Sequence, residues 1–111
     1  MELEFDDPKH ERLVNDPAAL SKKYDKKGQN NADDILGTID VLYAADTLLD
    51  VPRGFRPHPL HGGYQGYFAV DVTDTHRCIF RPNELNNPEF RIDNYKSITR
   101  IIIVEIFKDY H

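Results

Sequence analysis

Residues 64–81 read Tyr64-Gln65-Gly66-Tyr67-Phe68-Ala69-Val70-Asp71-Val72-Thr73-Asp74-Thr75-His76-Arg77-Cys78-Ile79-Phe80-Arg81, and this stretch decides the fold. Two-residue alternation puts Tyr64, Gly66, Phe68, Val70 and Val72 on one face and Tyr67, Ala69 and Asp71 on the other. Thr73-Asp74-Thr75 supplies a turn, and His76 to Arg81 returns as the second strand of a hairpin. On that strand Arg77, Ile79 and Arg81 share one face, and His76, Cys78 and Phe80 the other. Downstream, Ile98 to Phe107 is β-branched at both parities, the pattern of a strand buried on both sides. The intervening residues 82–97 carry two prolines and four asparagines and predict a polar loop.

Upstream of the hairpin the signals change. Leu3 and Phe5 alternate with acids and fit a short first strand. Asp7-Pro8 and Asp16-Pro17 each place an N-cap acceptor before a proline suited to the first helical position. They predict helices beginning at Pro8 and at Pro17, the second ending near Gly28. A third is expected to be capped by Asn30 or Asn31, with Asp33 and Asp34 at its positive end. Ile35, Leu36, Ile39, Leu42 and Tyr43 give it helical spacing, and Pro52 is expected to end it. The class is therefore α+β, with N-terminal helices, expected as a helical hairpin, packed on one face of a small, mostly antiparallel sheet.

A chain of 111 residues fits a single domain spanning 1–111. No apolar run is long enough for a transmembrane helix. The acidic start, residues 1–7, lacks the basic and apolar regions of a signal peptide. The lone Cys78 has no internal disulfide partner, and no cysteine cluster suggests zinc. A cytoplasmic protein without metal or cofactor is the expectation. The net charge of −5 disfavours a polyanion ligand, but it is unevenly spread. Residues 1–50 hold twelve acids against six bases, whereas residues 51–82 hold Arg53, Arg56, Arg77 and Arg81 against two acids. Any RNA-facing surface is therefore expected in the second half.

Three polar groups invite a chemical reading. His58 and His61 lie in a segment whose prolines, Pro57 and Pro59, exclude a helix, so their spacing does not make a metal pair. His58 either packs against the sheet or caps a turn, or it has a chemical role. Arg77 and Arg81 are either solvated strand residues or a pair of cations for phosphate, which arginine binds in bidentate fashion. Asp109-Tyr110-His111 follows the most apolar strand and is either a frayed end or a tethered polar site.

These groups, in this order, resemble the HigB-like branch of the RelE/ParE toxins, the plasmid-maintenance killer proteins. The resemblance rests on His58-Pro59-Leu60-x-Gly62, on Gly66-Tyr67, on Arg77-x-x-Phe80 and on Asp109-Tyr110-His111, across residues 50–111. It implies a RelE-like fold and a ribosome-dependent messenger-RNA endonuclease that uses no metal. It also implies neutralisation by a HigA-like helix-turn-helix antitoxin, with the toxin a monomer alone and a hetero-oligomer with its antitoxin. The implied catalytic residues are His58, Arg77, Asp109, Tyr110 and His111, with Arg56, His61 and Arg81 binding RNA phosphate. Such cleavage needs a base for the 2′-hydroxyl proton, an acid for the leaving 5′-oxygen and positive charge for the oxyanion, and histidine serves either proton role near neutrality. Two features depart from the family: His61 stands where a lysine is common, and the chain is acidic. A ParE-like, non-catalytic inhibitor of DNA gyrase and an inactive antitoxin-binding module remain as alternatives.

Overall fold

The computed structural model describes residues 1–84 and 87–110. Five strands form one sheet in the order β1-β5-β4-β3-β2, where β1 is Glu2–Phe5, β2 His58–Pro59, β3 Phe68–Asp71, β4 His76–Pro82 and β5 Arg100–Asp109. β1 runs parallel to β5, and the other neighbours are antiparallel. The α+β expectation holds: helices α1 (Pro8–Val14), α2 (Pro17–Tyr24) and α3 (Asn31–Ala44) belong to one side of this sheet.

The helix starts follow their prolines. Asp7 accepts from the Lys9 N–H and Asp16 from the Ala19 N–H, each satisfying a donor that the first helical turn leaves unpaired. The third cap differs from expectation. Neither Asn30 nor Asn31 caps α3 through its side chain; Asp25 reaches across to accept the Ala32 N–H at 2.8 Å, and Asn31 donates instead to the Tyr24 carbonyl. α2 ends at Tyr24, before Gly28, whose φ of +77° serves a turn bridged by Lys26 and Gln29. α3 also stops early, at Ala44 rather than Pro52, because Thr47 and Asp50 form a capping box that starts a separate 3₁₀ turn over Leu48–Asp50.

Ile35, Ile39 and Leu42 of α3 and Leu20 of α2 pack on Phe68, Val70, Cys78, Phe80, Ile101, Ile103 and Ile106. This layer covers one face of the sheet. The expectation that the last strand is buried on both faces is corrected: Ile101, Ile103 and Ile106 are buried in the core, whereas Ile102, Val104 and Glu105 are only half-buried. The first hairpin strand is also shorter than expected. Gly66, at φ +91°, interrupts the alternation, and Gly62–Tyr64 forms a 3₁₀ turn, so pairing begins at Phe68.

The loop after β4 is tied down by Glu84. Its carboxylate accepts the Thr99 N–H at 2.6 Å, the Arg100 N–H at 2.9 Å and the Asn87 amide at 3.2 Å. Burial works to raise its pKa, but the Thr99 N–H, the Asn87 amide, the Arg100 N–H and the Thr99 hydroxyl together outweigh that and hold it below the ordinary value. Glu84 thus fixes where β5 begins.

Candidate functional site

The face of the sheet away from the helices carries the residues singled out by sequence. Strand register sets them in rows. His58, Ala69, Ile79 and Glu105 form one row, and Asp71, Arg77 and Lys108 form the next. Two register shifts between β4 and β5 keep Lys108 opposite Arg77 although the strands are not in simple step.

The His58 Nδ1 lies 2.6 Å from the Arg56 carbonyl oxygen. A carbonyl only accepts, so Nδ1 is the donor in this pair, and in the neutral ring Nε2 is the acceptor. That Nε2 is 3.4 Å from Nη1 of Arg77, which donates to it from two strands away. Their β3 partners are Ala69 and Asp71, two residues apart, so the contact runs from one row to the next. Arg56 holds its carbonyl towards His58 from the left-handed region, with φ 50°. Among the described residues it is the one non-glycine with positive φ, a conformation costing about 1–2 kcal/mol. Local backbone strain of this kind collects at functional positions.

Arg77 is covered on its other side. Its guanidinium carbon lies 4.1 Å from the centre of the Tyr110 ring. Tyr110 is fastened to the hairpin turn, its hydroxyl donating to the Asp74 carbonyl at 2.7 Å and its N–H to the Thr75 carbonyl at 3.3 Å. The expected tethered tail is therefore present through Tyr110. Asp109 pairs with His76 in the β4–β5 register, and His111 lies outside the described residues.

The structure gathers His58, Arg77 and Tyr110, with Arg56 beside them. It does not bring His61 or Arg81 to the same spot. His61 is exposed and lines a separate groove of about 390 Å³ with Leu60, Tyr67 and Tyr95. Arg81 shares the Arg77 face but lies four residues along β4, roughly 13 Å away. Sequence reading missed Asp71, which faces Arg77 across the hairpin and forms a 3.5 Å ion pair with Arg56. The symmetry of the turn signals it: centring the hairpin on Asp74 pairs 71 with 77. Among the described residues, Asp71 Oδ1 and Arg77 Nε each have no hydrogen-bond partner although buried, a cost of about 1–3 kcal/mol apiece. Among the described residues no cluster of His, Cys, Asp and Glu has the arrangement to hold a metal ion, and no helix is long and apolar enough to cross a membrane.

No family model matches the sequence, and no curated protein matches it. Its three-dimensional structure does have a counterpart. The chain shares the fold of the YoeB/ParE toxin from Agrobacterium tumefaciens. The TM-score is 0.55 over 100% of both chains, at 15% sequence identity. At that identity the likeness is one of fold. It supports the architecture expected from residues 50–111 and extends it to the helical half, where the sequence offered few motifs.

Proposed function

We propose that this chain is the toxin of a type II toxin–antitoxin system and cleaves messenger RNA on the ribosome without a metal, under control of a helix-turn-helix antitoxin. The observation that carries the reading is the His58–Arg77 contact, an imidazole nitrogen facing a guanidinium on the face of the sheet away from the helices. The shared fold with a YoeB/ParE toxin agrees with it. In this reading the unprotonated Nε2 of His58 takes the 2′-hydroxyl proton, and Arg77 stabilises charge on the attacked phosphate. His111 protonates the departing 5′-oxygen. Tyr110 keeps Arg77 in place by its ring, and Asp109 sets the direction of the chain end. Inducing the wild-type chain without its antitoxin should arrest growth and create new transcript 5′ ends within translated frames. His58→Ala and His111→Ala should each remove those ends; persistence of the ends in both variants would refute the nuclease reading.

A second reading, an inhibitor of DNA gyrase that acts by binding alone, agrees equally with the shared fold, since the structural counterpart is described as a YoeB/ParE toxin. It predicts growth arrest that survives His58→Ala and His111→Ala, with inhibited supercoiling by purified gyrase.

A further inference from the structure

The chain is acidic overall, yet all six basic residues of its first fifty lie between Lys9 and Lys27, on α1, α2 and the turn that follows. α3 carries Asp33, Asp34 and Asp40 and no base. The first half is thus divided into a basic part and an acidic part, which its total charge conceals.

Folding places the basic part along a path that leads to the candidate site. Lys9 and Arg12 of α1 and Lys23 of α2 line one groove between the two helices. Three residues after Lys23, Lys26 lines a second, polar cleft whose opposite wall is the β3–β4 turn, Thr73, Asp74, Thr75 and His76. The same turn holds Tyr110 and so borders Arg77. Lys22 and Lys27, next to Lys23 and Lys26 in the chain, are exposed.

Among the described residues, none of Lys9, Arg12, Lys23 and Lys26 is in an ion pair. Three nearby carboxylates are engaged at helix starts, Asp7 with the Lys9 N–H, Asp16 with the Ala19 N–H, and Asp25 with the Ala32 N–H and the Ser21 hydroxyl, while Glu11 lies on α1 between Lys9 and Arg12. The Ala32 N–H, then the Ser21 hydroxyl, hold Asp25 below its ordinary pKa, so it stays ionised at the start of α3. Asp16 in the groove and Asp74 on the cleft rim are the carboxylates that line the path itself. Unpaired like charges along a groove repel one another, and a polyanion laid over them relieves this by releasing counterions.

We infer that Lys9, Arg12, Lys23 and Lys26 form a track for the phosphate backbone of RNA, running from the α1–α2 groove past the β3–β4 turn to Arg77. The inference rests on the nuclease reading for the identity of the polyanion, while its test reads binding alone. It also places the RNA-facing surface partly in the first half of the chain, against the expectation from charge totals.

The probe is a fluorescein-labelled, single-stranded 2′-O-methyl oligoribonucleotide, which has no free 2′-hydroxyl and stays intact whether or not the protein is a nuclease. Anisotropy titrations across a potassium chloride series give affinity and its salt slope. Combining Lys9→Gln, Arg12→Gln, Lys23→Gln and Lys26→Gln should weaken binding at least about tenfold and make the slope shallower by roughly 2–3, at about 0.7 per phosphate contact on a single strand. The pair Lys96→Gln and Arg100→Gln, away from the track, should leave both quantities unchanged. Wild-type affinity and slope in the fourfold variant, with its circular dichroism intact, would overturn the inference. An equal loss in the Lys96 and Arg100 control would also overturn it, since charge anywhere would then suffice.

Discussion

Arg77 and Tyr110 form a stacked pair, the guanidinium carbon 4.1 Å from the ring centre, and the Tyr110 hydroxyl is anchored on the Asp74 carbonyl. One residue from β4 and one from the end of the chain are thereby locked to the same hairpin turn. Tyr110→Phe keeps the ring and loses only the hydroxyl's bond, so it should cost about 1 kcal/mol of stability. Tyr110→Ala removes the cation–π contact as well and should cost about 0.5–1 kcal/mol more. Urea denaturation of the two variants checks the order.

Arg77 is expected to serve function more than stability. Its Nε is buried without a partner among the described residues, which offsets much of what its contacts with His58 and Tyr110 contribute. Arg77→Met should therefore leave the unfolding free energy within about 1 kcal/mol of wild type while abolishing cleavage. A large loss of stability would show that Arg77 is held for folding.

Ala69 is the β3 partner of His58, which contacts Arg77. Ala69→Val adds two methyl groups to a fully buried position and should overpack it by about 1–3 kcal/mol. It should also shift the His58 imidazole resonances, since the added volume lies at the strand partner of His58. Unchanged resonances would mean that the His58–Arg77 contact does not depend on the small residue.

Much of this arrangement was legible in the sequence, for local reasons. The Asp-Pro helix starts and the hairpin at 73–75 depend on neighbours in the chain, and both stand as read. The breaks at Ala44 and Gly66 were missed because the capping box of Thr47 and Asp50 and the positive φ of Gly66 override periodicity. The carboxylate of Asp25 reaches α3 from the preceding turn, and such reach leaves no spacing signal. The site was legible as a set of residue types, but its grouping was not. Which of His58, His61, Arg77 and Arg81 meet depends on β2 pairing with β3, and a two-residue strand has no periodicity to read.

Glu84 makes stability depend on acid pH. Its folded pKa lies below the ordinary 4.5, so its contribution is present above that value and is lost as pH falls through the folded pKa. The urea midpoint should fall below about pH 4.5, and Glu84→Gln should flatten part of that fall while lowering stability at pH 7 by about 1.5–3 kcal/mol. Asp25, also held low, accounts for a further share with the same sign.

Cys78 should be inert in the folded protein. Burial, then the negative charge of Glu105, pushes its thiol pKa up to about 12, so almost no thiolate exists at pH 8. Iodoacetamide labelling followed by mass spectrometry should proceed only as fast as the protein unfolds. Rapid labelling under native conditions would contradict the packing around β4.

The central claim is that His58 and Arg77 act together on RNA, and the rate of cleavage in purified translation complexes tests it most directly. His58→Ala should slow single-turnover cleavage of ribosome-bound messenger RNA by about 10²–10⁴-fold. Combining it with Arg77→Ala should cost far less than the product of the two single losses, because the groups act as a unit. Cleavage by His58→Ala at the wild-type rate, or fully multiplicative losses, would contradict the account.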